Sequence, residues 1–189
     1  EWDKGFDLTS WIKLYRRILN KDGSMIIFCS YKYISSLVDA LESSNMVVKD
    51  VIIWKKTNPM PRNIRRRYVQ DMEFAIWAVA EKAKWVFNKP DDTPYLRSLF
   101  EAPTVAGGEK NGHPTQKSLA VMEQLIRIHT NPGDVILDPF MGSGTTGVAA
   151  VSNSRKFVGI ELDPRYYKIS CERINSIAYP KTFNTKLSK

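Results

Sequence analysis

Hydrophobic positions change period along the 189-residue chain, and each change marks an element. Leu8, Trp11, Ile12, Tyr15 and Ile18/Leu19 recur at helical spacing, which predicts an amphipathic helix over residues 8–19. Asn20-Lys21-Asp22-Gly23 reads as a turn. Residues 24–29 form a short, nearly continuous apolar run, the pattern of a strand buried on both faces. The periodicity then predicts a helix over 33–43 and a strand over 47–54. Pro59 and Pro61 make the segment from Lys55 a loop. Residues 73–80 read as a strand, with a helix as the alternative, and residues 83–112 hold Pro and Gly without a strong period. Beyond them the pattern gives a helix over 118–129, a strand over 135–137, a glycine loop and a helix to about 152. A strand over 156–161, a helix over 164–178 and a polar tail over 180–189 complete the chain.

Strands alternate with helices through most of this length, which predicts an α/β fold with a mostly parallel sheet. The length suits one compact domain with a full core. At 43% hydrophobic and 11% aromatic the composition is globular, and no apolar run approaches the roughly 20 residues of a membrane span. Glu1-Trp2-Asp3-Lys4 has neither the basic start nor the apolar stretch of a signal peptide. Cys29 and Cys171, far apart, offer no disulfide framework or CxxC metal site, so a reducing cytoplasm is the expected compartment.

Charge changes the picture. The net charge is +8, and Lys55, Lys56, Arg62, Arg65, Arg66 and Arg67 carry six of those charges with no acid between them. Concentration in one segment favours a loop that contacts a polyanion over a generally basic surface, and these six are the candidate residues for that contact, with DNA as the polyanion once the motifs below are read with them.

The strongest local signal is Pro132-Gly133-Asp134-Val135-Ile136-Leu137-Asp138-Pro139-Phe140-Met141-Gly142-Ser143-Gly144-Thr145-Thr146. An apolar strand ends in an acid, and a glycine loop feeds a helix whose free N–H groups attract anions, a carboxylate included. Asp138 can hold an ammonium group, and Glu161, ending the next strand, can accept from two ribose hydroxyls. A ligand with an amino-acid end and a nucleoside end is expected, and S-adenosylmethionine has both. Gly142, Gly144 and Gly147 also match GxGxxG by spacing, so a dinucleotide stays open, as does a tight turn without ligand. No lysine follows Gly144 or Gly147 as a phosphate-binding P-loop would require.

His113-Pro114-Thr115-Gln116-Lys117, taken with the Asp138–Thr146 loop and with Gly159-Ile160-Glu161 ahead of Tyr166, resembles the β class of amino-methylating DNA methyltransferases of bacterial restriction–modification systems. The resemblance covers essentially the whole chain, and the order of its motifs is specific. Ser118 departs from it, standing where the family usually carries proline. The segment 58–64 is further similar to small ε-proteobacterial adenine methylases of the GAGG-recognising kind. The resemblance implies a Rossmann-like, S-adenosylmethionine-dependent methyltransferase fold acting on the N6 amine of adenine in DNA. It implies that Asp138, Phe140, Gly142, Ser143, Gly144 and Thr145 surround the methionyl part of the cofactor and that Glu161 holds the ribose. Thr115 and Lys117 would reach the methionyl carboxylate from the opposite side. It also implies residues 1–82 as part of a catalytic half, 83–112 as a target-recognition insert and 113–180 as the cofactor half, with a homodimer as a possible assembly.

Such enzymes use Asp/Asn/Ser-Pro-Pro-Tyr/Phe/Trp to accept the hydrogens of the amine and to stack the flipped base. No such tetrapeptide occurs in the 189 residues; Asp92-Thr93-Pro94-Tyr95 and Asn58-Pro59-Met60-Pro61 lack the double proline. The motif is expected N-terminal to Glu1, and the chain is expected to lack its first strand and catalytic loop. Three alternatives remain: cytosine-N4 methylation, a non-catalytic DNA-binding protein with a degenerate methylase fold, and a small-molecule methyltransferase, which leaves the charge unexplained. His113 and His129 form no metal cluster with the cysteines, and His129 is expected to be structural.

Overall fold

The computed structural model describes residue 7 and residues 9–107 and 115–178. His113 and Pro114, the start of the predicted first helix at Leu8, part of the 83–112 segment and the polar tail lie outside the described residues. The described residues fall into two compact units, Glu1–Thr104 with Ile128–Thr130, and Val105–Arg127 with Asn131–Lys189. None of their helices is long and apolar enough to cross a membrane.

The first unit is built on four strands: β1 (Ser24–Cys29), β2 (Met46–Lys56), β3 (Met72–Ala80) and β4 (Leu99–Ala102). Their order is β1-β3-β2-β4. β3 lies between β1 and β2, antiparallel to both, and β4 runs parallel to β2. A central strand is covered on both faces, which is why Glu73–Ala80 is almost wholly apolar and why residues 75–80 are all buried. Helices α1 (Ile12–Ile18) and α2 (Ile34–Glu42), the latter entered through a 3-10 turn at Tyr31–Tyr33, cover one face. Ile12, Leu37 and Leu41 pack there on Ile27, Met46, Ile76 and Ala78. The opposite face carries Trp77, with Phe87 stacked on it at 5.4 Å and Trp85 edge-on at 6.4 Å.

The second unit holds α3 (Leu119–His129) up to Arg127, then β5 (Val135–Asp138), α4 (Thr145–Ser152), β6 (Lys156–Gly159) and α5 (Pro164–Ala178). β5 and β6 pair in parallel, Val135 with Lys156 through Asp138 with Gly159, joined by α4 as a β-α-β unit. Ile126, Ala149 and Ala150 form its core, with Leu119, Met122, Ile136 and Phe157 packed around them.

The α/β class holds, but the pairing is more mixed than expected. The β2–β4 and β5–β6 ladders are parallel and the two ladders of β3 antiparallel. The cause is the connection: β2 reaches β3 through residues 57–71 without a helix, so the chain turns back beside itself. Two local expectations are corrected. Lys55 and Lys56 lie within β2 rather than in the loop, and residues 99–102 of the supposedly irregular segment form β4. There the Trp54 indole, 2% exposed, donates to the Ala102 carbonyl at 3.0 Å.

Candidate functional site

The parallel register of β5 and β6 brings two acids to one edge of the second unit. Asp138 ends β5, and Glu161 follows β6 by two residues. The ladder continues past the strands, with Ile160 N donating to Asp138 O at 3.0 Å and Met141 N to Ile160 O at 3.1 Å. Both carboxylates then engage the glycine loop. Phe140 N donates to Asp138 Oδ1 at 3.0 Å, Thr146 Oγ1 to Asp138 Oδ2 at 2.6 Å, and Gly142 N to Glu161 Oε2 at 2.8 Å. Asp163 N closes the second oxygen of Glu161 at 2.8 Å. Loss of solvent pushes the Asp138 carboxyl above the usual carboxylate range, against the opposing pull of Thr146 and the Phe140 N–H.

The loop turns at Gly142 and Gly144, with φ of 51° and 78°. At Gly144 a Cβ would also lie 2.7 Å from Ser170 Cβ on α5. Gly147, third in the GxGxxG spacing, serves packing: a Cβ there would overlap Ile174 Cδ1 and fall 2.6 Å from Phe157 Cε1. Small residues let α4 sit close to α5 and β6, where Val148, Ala149 and Ala150 are buried.

The structure therefore brings Asp138, Gly142, Gly144 and Glu161 together. Ser143 and Thr145 are buried, and their hydroxyls accept from Arg173 Nη1 of α5 at 3.2 and 3.4 Å, while the Ser143 carbonyl accepts from the same nitrogen. Phe140 is 53% exposed beside Asp138. Thr115, exposed, and Lys117, half-buried, lie in the segment leading into α3. Thr146 and Arg173 were not singled out by sequence. Thr146 had a signal as a hydroxyl residue in the first turn of the helix that follows the glycine loop, whereas Arg173 had none beyond its place on an amphipathic helix.

In the first unit the six basic residues divide. Lys55 Nζ pairs with Glu101 at 2.8 Å and Lys56 Nζ with Glu73 at 2.9 Å, so neighbouring strands supply acids that the linear sequence placed far away. Arg62, Arg65, Arg66 and Arg67 remain exposed on the 57–71 loop. Asp92–Tyr95 lies in an exposed turn in which the Thr93 carbonyl accepts from Lys89 Nζ. Trp85 and Phe87 belong to a local core on Trp77, and the sheet also takes residues 99–102. His129 is buried against the edge of the stacked Trp77 and Phe87 rings, as a structural role requires.

Two parallel strands tipped with acids, around a glycine loop that opens a helix, are the arrangement of α/β domains that take nucleotide-bearing ligands. A family model described as DNA methylase (N6_N4_Mtase) matches residues 1–172, and the chain belongs to that family. It is 34% identical over 174 residues to the type II methyltransferase M2.LlaDCHI of Lactococcus lactis subsp. cremoris, a match covering 87% of this chain. It is 34% identical over 175 residues to the type II methyltransferase M2.DpnII of Streptococcus pneumoniae, covering 88% of this chain. The chain spans 65% of the length of each of these curated relatives. The crystal structure of an M1.HpyAVI–SAM complex superposes with a TM-score of 0.85 at 57% identity, covering 92% of this chain and 84% of that one.

Proposed function

We propose that the protein transfers a methyl group from S-adenosylmethionine to the N6 amine of adenine in DNA. The observation that carries this is the pair Asp138 and Glu161, fastened to one glycine loop by Phe140 N and Gly142 N. The residues fit the cofactor. Asp138, its charge poorly solvated, gains from a bound ammonium group. Each oxygen of Glu161 accepts one backbone N–H and keeps further lone-pair capacity for a ribose hydroxyl. The exposed apolar side chains of Ile160 and Leu162 flank Glu161 in sequence and suit an adenine ring. Lys117 and the N–H groups at the start of α4 supply positive charge for a carboxylate.

When bound, the cofactor supplies a methyl carbon on a sulfonium; the N6 lone pair forms the new C–N bond, the C–S pair stays on sulfur, and a proton leaves N6. The chain's residues orient the donor, and Asp138 and Glu161 fix its two ends. Arg62, Arg65, Arg66 and Arg67 hold DNA through its phosphates. The 57–71 loop is the DNA-facing element of this reading, because the described part of the 83–112 insert commits Trp85 and Phe87 to the sheet. Both cysteines are free thiols, which suits a reducing cytoplasm.

The test uses the protein expressed from its complete reading frame, with methyl-labelled S-adenosylmethionine and DNA. Label recovered as N6-methyladenine after digestion is the expected result. Label on cytosine N4 moves the assignment to the other amine, and DNA without label overturns the proposal.

A further inference from the structure

One edge of the four-stranded sheet gathers the carboxyl ends of β1, β2 and β4 and the start of β3: Cys29 pairs with Phe74, Lys55 with Met72 and Lys56 with Ala102. The 57–71 loop leaves from this edge on a fixed base. Lys56 N donates to Asp71 O at 2.7 Å. Thr104 donates to Asn58 Oδ1 from its N–H at 2.6 Å and from Oγ1 at 2.9 Å. Further out, Asn63 turns the chain at φ 53°, and its carbonyl accepts from Arg66 N and Arg67 N at 2.9 and 3.2 Å.

Phosphate contact requires only the arginines, yet the same loop presents apolar groups to water. Tyr68 is 96% exposed, Met60 70% and Ile64 66%. A ring so exposed adds almost no packing to its own unit. Beside guanidinium groups its flat face matches nucleic acid, where aromatic rings stack on bases and cations hold the backbone. A closed duplex hides its base faces against one another. A base offers a free face only when a pair opens, and reaction at an adenine amine requires that opening.

We propose that Tyr68 stacks on a base exposed when the duplex opens, so that the loop stabilises the opened DNA as well as neutralising phosphate. This rests on the DNA methylation proposed above. Its test compares the wild-type protein with Tyr68→Ala and Tyr68→Phe for affinity to a DNA duplex carrying a mismatch at an adenine, across a range of salt. The exposure of Tyr68 leaves the fold intact in both variants. Tyr68→Ala is expected to bind about tenfold more weakly, the low end of a lost base–aromatic stack. Its slope of log affinity against log salt should stay unchanged, because no phosphate contact is lost. Tyr68→Phe should bind like the wild type. Wild-type affinity in Tyr68→Ala, a shallower salt slope in that variant, or an equal loss in Tyr68→Phe overturns the assignment. A wild-type protein that binds no DNA overturns the methylation proposal instead.

Discussion

The end of α3 carries a built-in sensitivity to acid. The His129 ring lies 4.5 Å from Trp77 and 5.8 Å from Phe87, centroid to centroid, and is 6% exposed. Its buried Nδ1 has no hydrogen-bond partner among the described residues. Burial lowers its pKa from 6.5 to about 4. Between these two values the unfolded chain binds a proton that the folded chain does not, so stability rises with pH across that window. The contribution is fully present above pH 6.5 and is lost as pH falls toward 4. At about 1.4 kcal/mol per pH unit it amounts to about 3 kcal/mol. His129→Leu removes the titrating group and the unpaired nitrogen together. At pH 7 the two proteins should differ by no more than about 1 kcal/mol, since lost ring contacts offset the relieved polar burial. Urea unfolding followed by tryptophan fluorescence from pH 4 to 7.5 measures the difference. The variant should gain about 3 kcal/mol on the wild type between neutral pH and pH 4. A difference that stays constant across the range would refute the assignment of a buried neutral histidine.

Two further changes probe the glycine loop. Gly144→Ala places a side chain at φ 78° and a Cβ 2.7 Å from Ser170 Cβ and 3.0 Å from its Cα, so it should cost about 2–4 kcal/mol in denaturant unfolding. Arg173→Ala withdraws the donor shared by the Ser143 carbonyl and the Ser143 and Thr145 hydroxyls. Calorimetry should show S-adenosylmethionine affinity reduced about tenfold, with stability lowered by about 1–2 kcal/mol.

Elements with a clear internal period were legible in the sequence. The apolar run of β1 and the helical spacing of α5 match the observed Ser24–Cys29 and Pro164–Ala178. Less legible were features decided by distant partners. Two lysines at a strand end look like the start of a basic loop until Glu73 and Glu101 on neighbouring strands pair with them. Four residues, Leu99–Ala102, are too few to show a period, and β4 exists because β2 offers it an edge. At the candidate site the acids and glycines are adjacent in motifs and could be read directly. Arg173 reaches the loop only because α5 packs on α4, against Gly144 and Gly147.

The most direct measurement is calorimetric titration of S-adenosylmethionine into the wild-type protein, Asp138→Asn and Glu161→Gln, with circular dichroism to verify folding. Both variants keep side-chain shape and remove a charge. The wild type should bind, and each variant should lose about a hundredfold in affinity, the scale of one or two charge-assisted hydrogen bonds. Arg62→Ala should bind the cofactor as the wild type does. Wild-type affinity in both Asp138→Asn and Glu161→Gln would contradict the placement of the cofactor at the ends of β5 and β6.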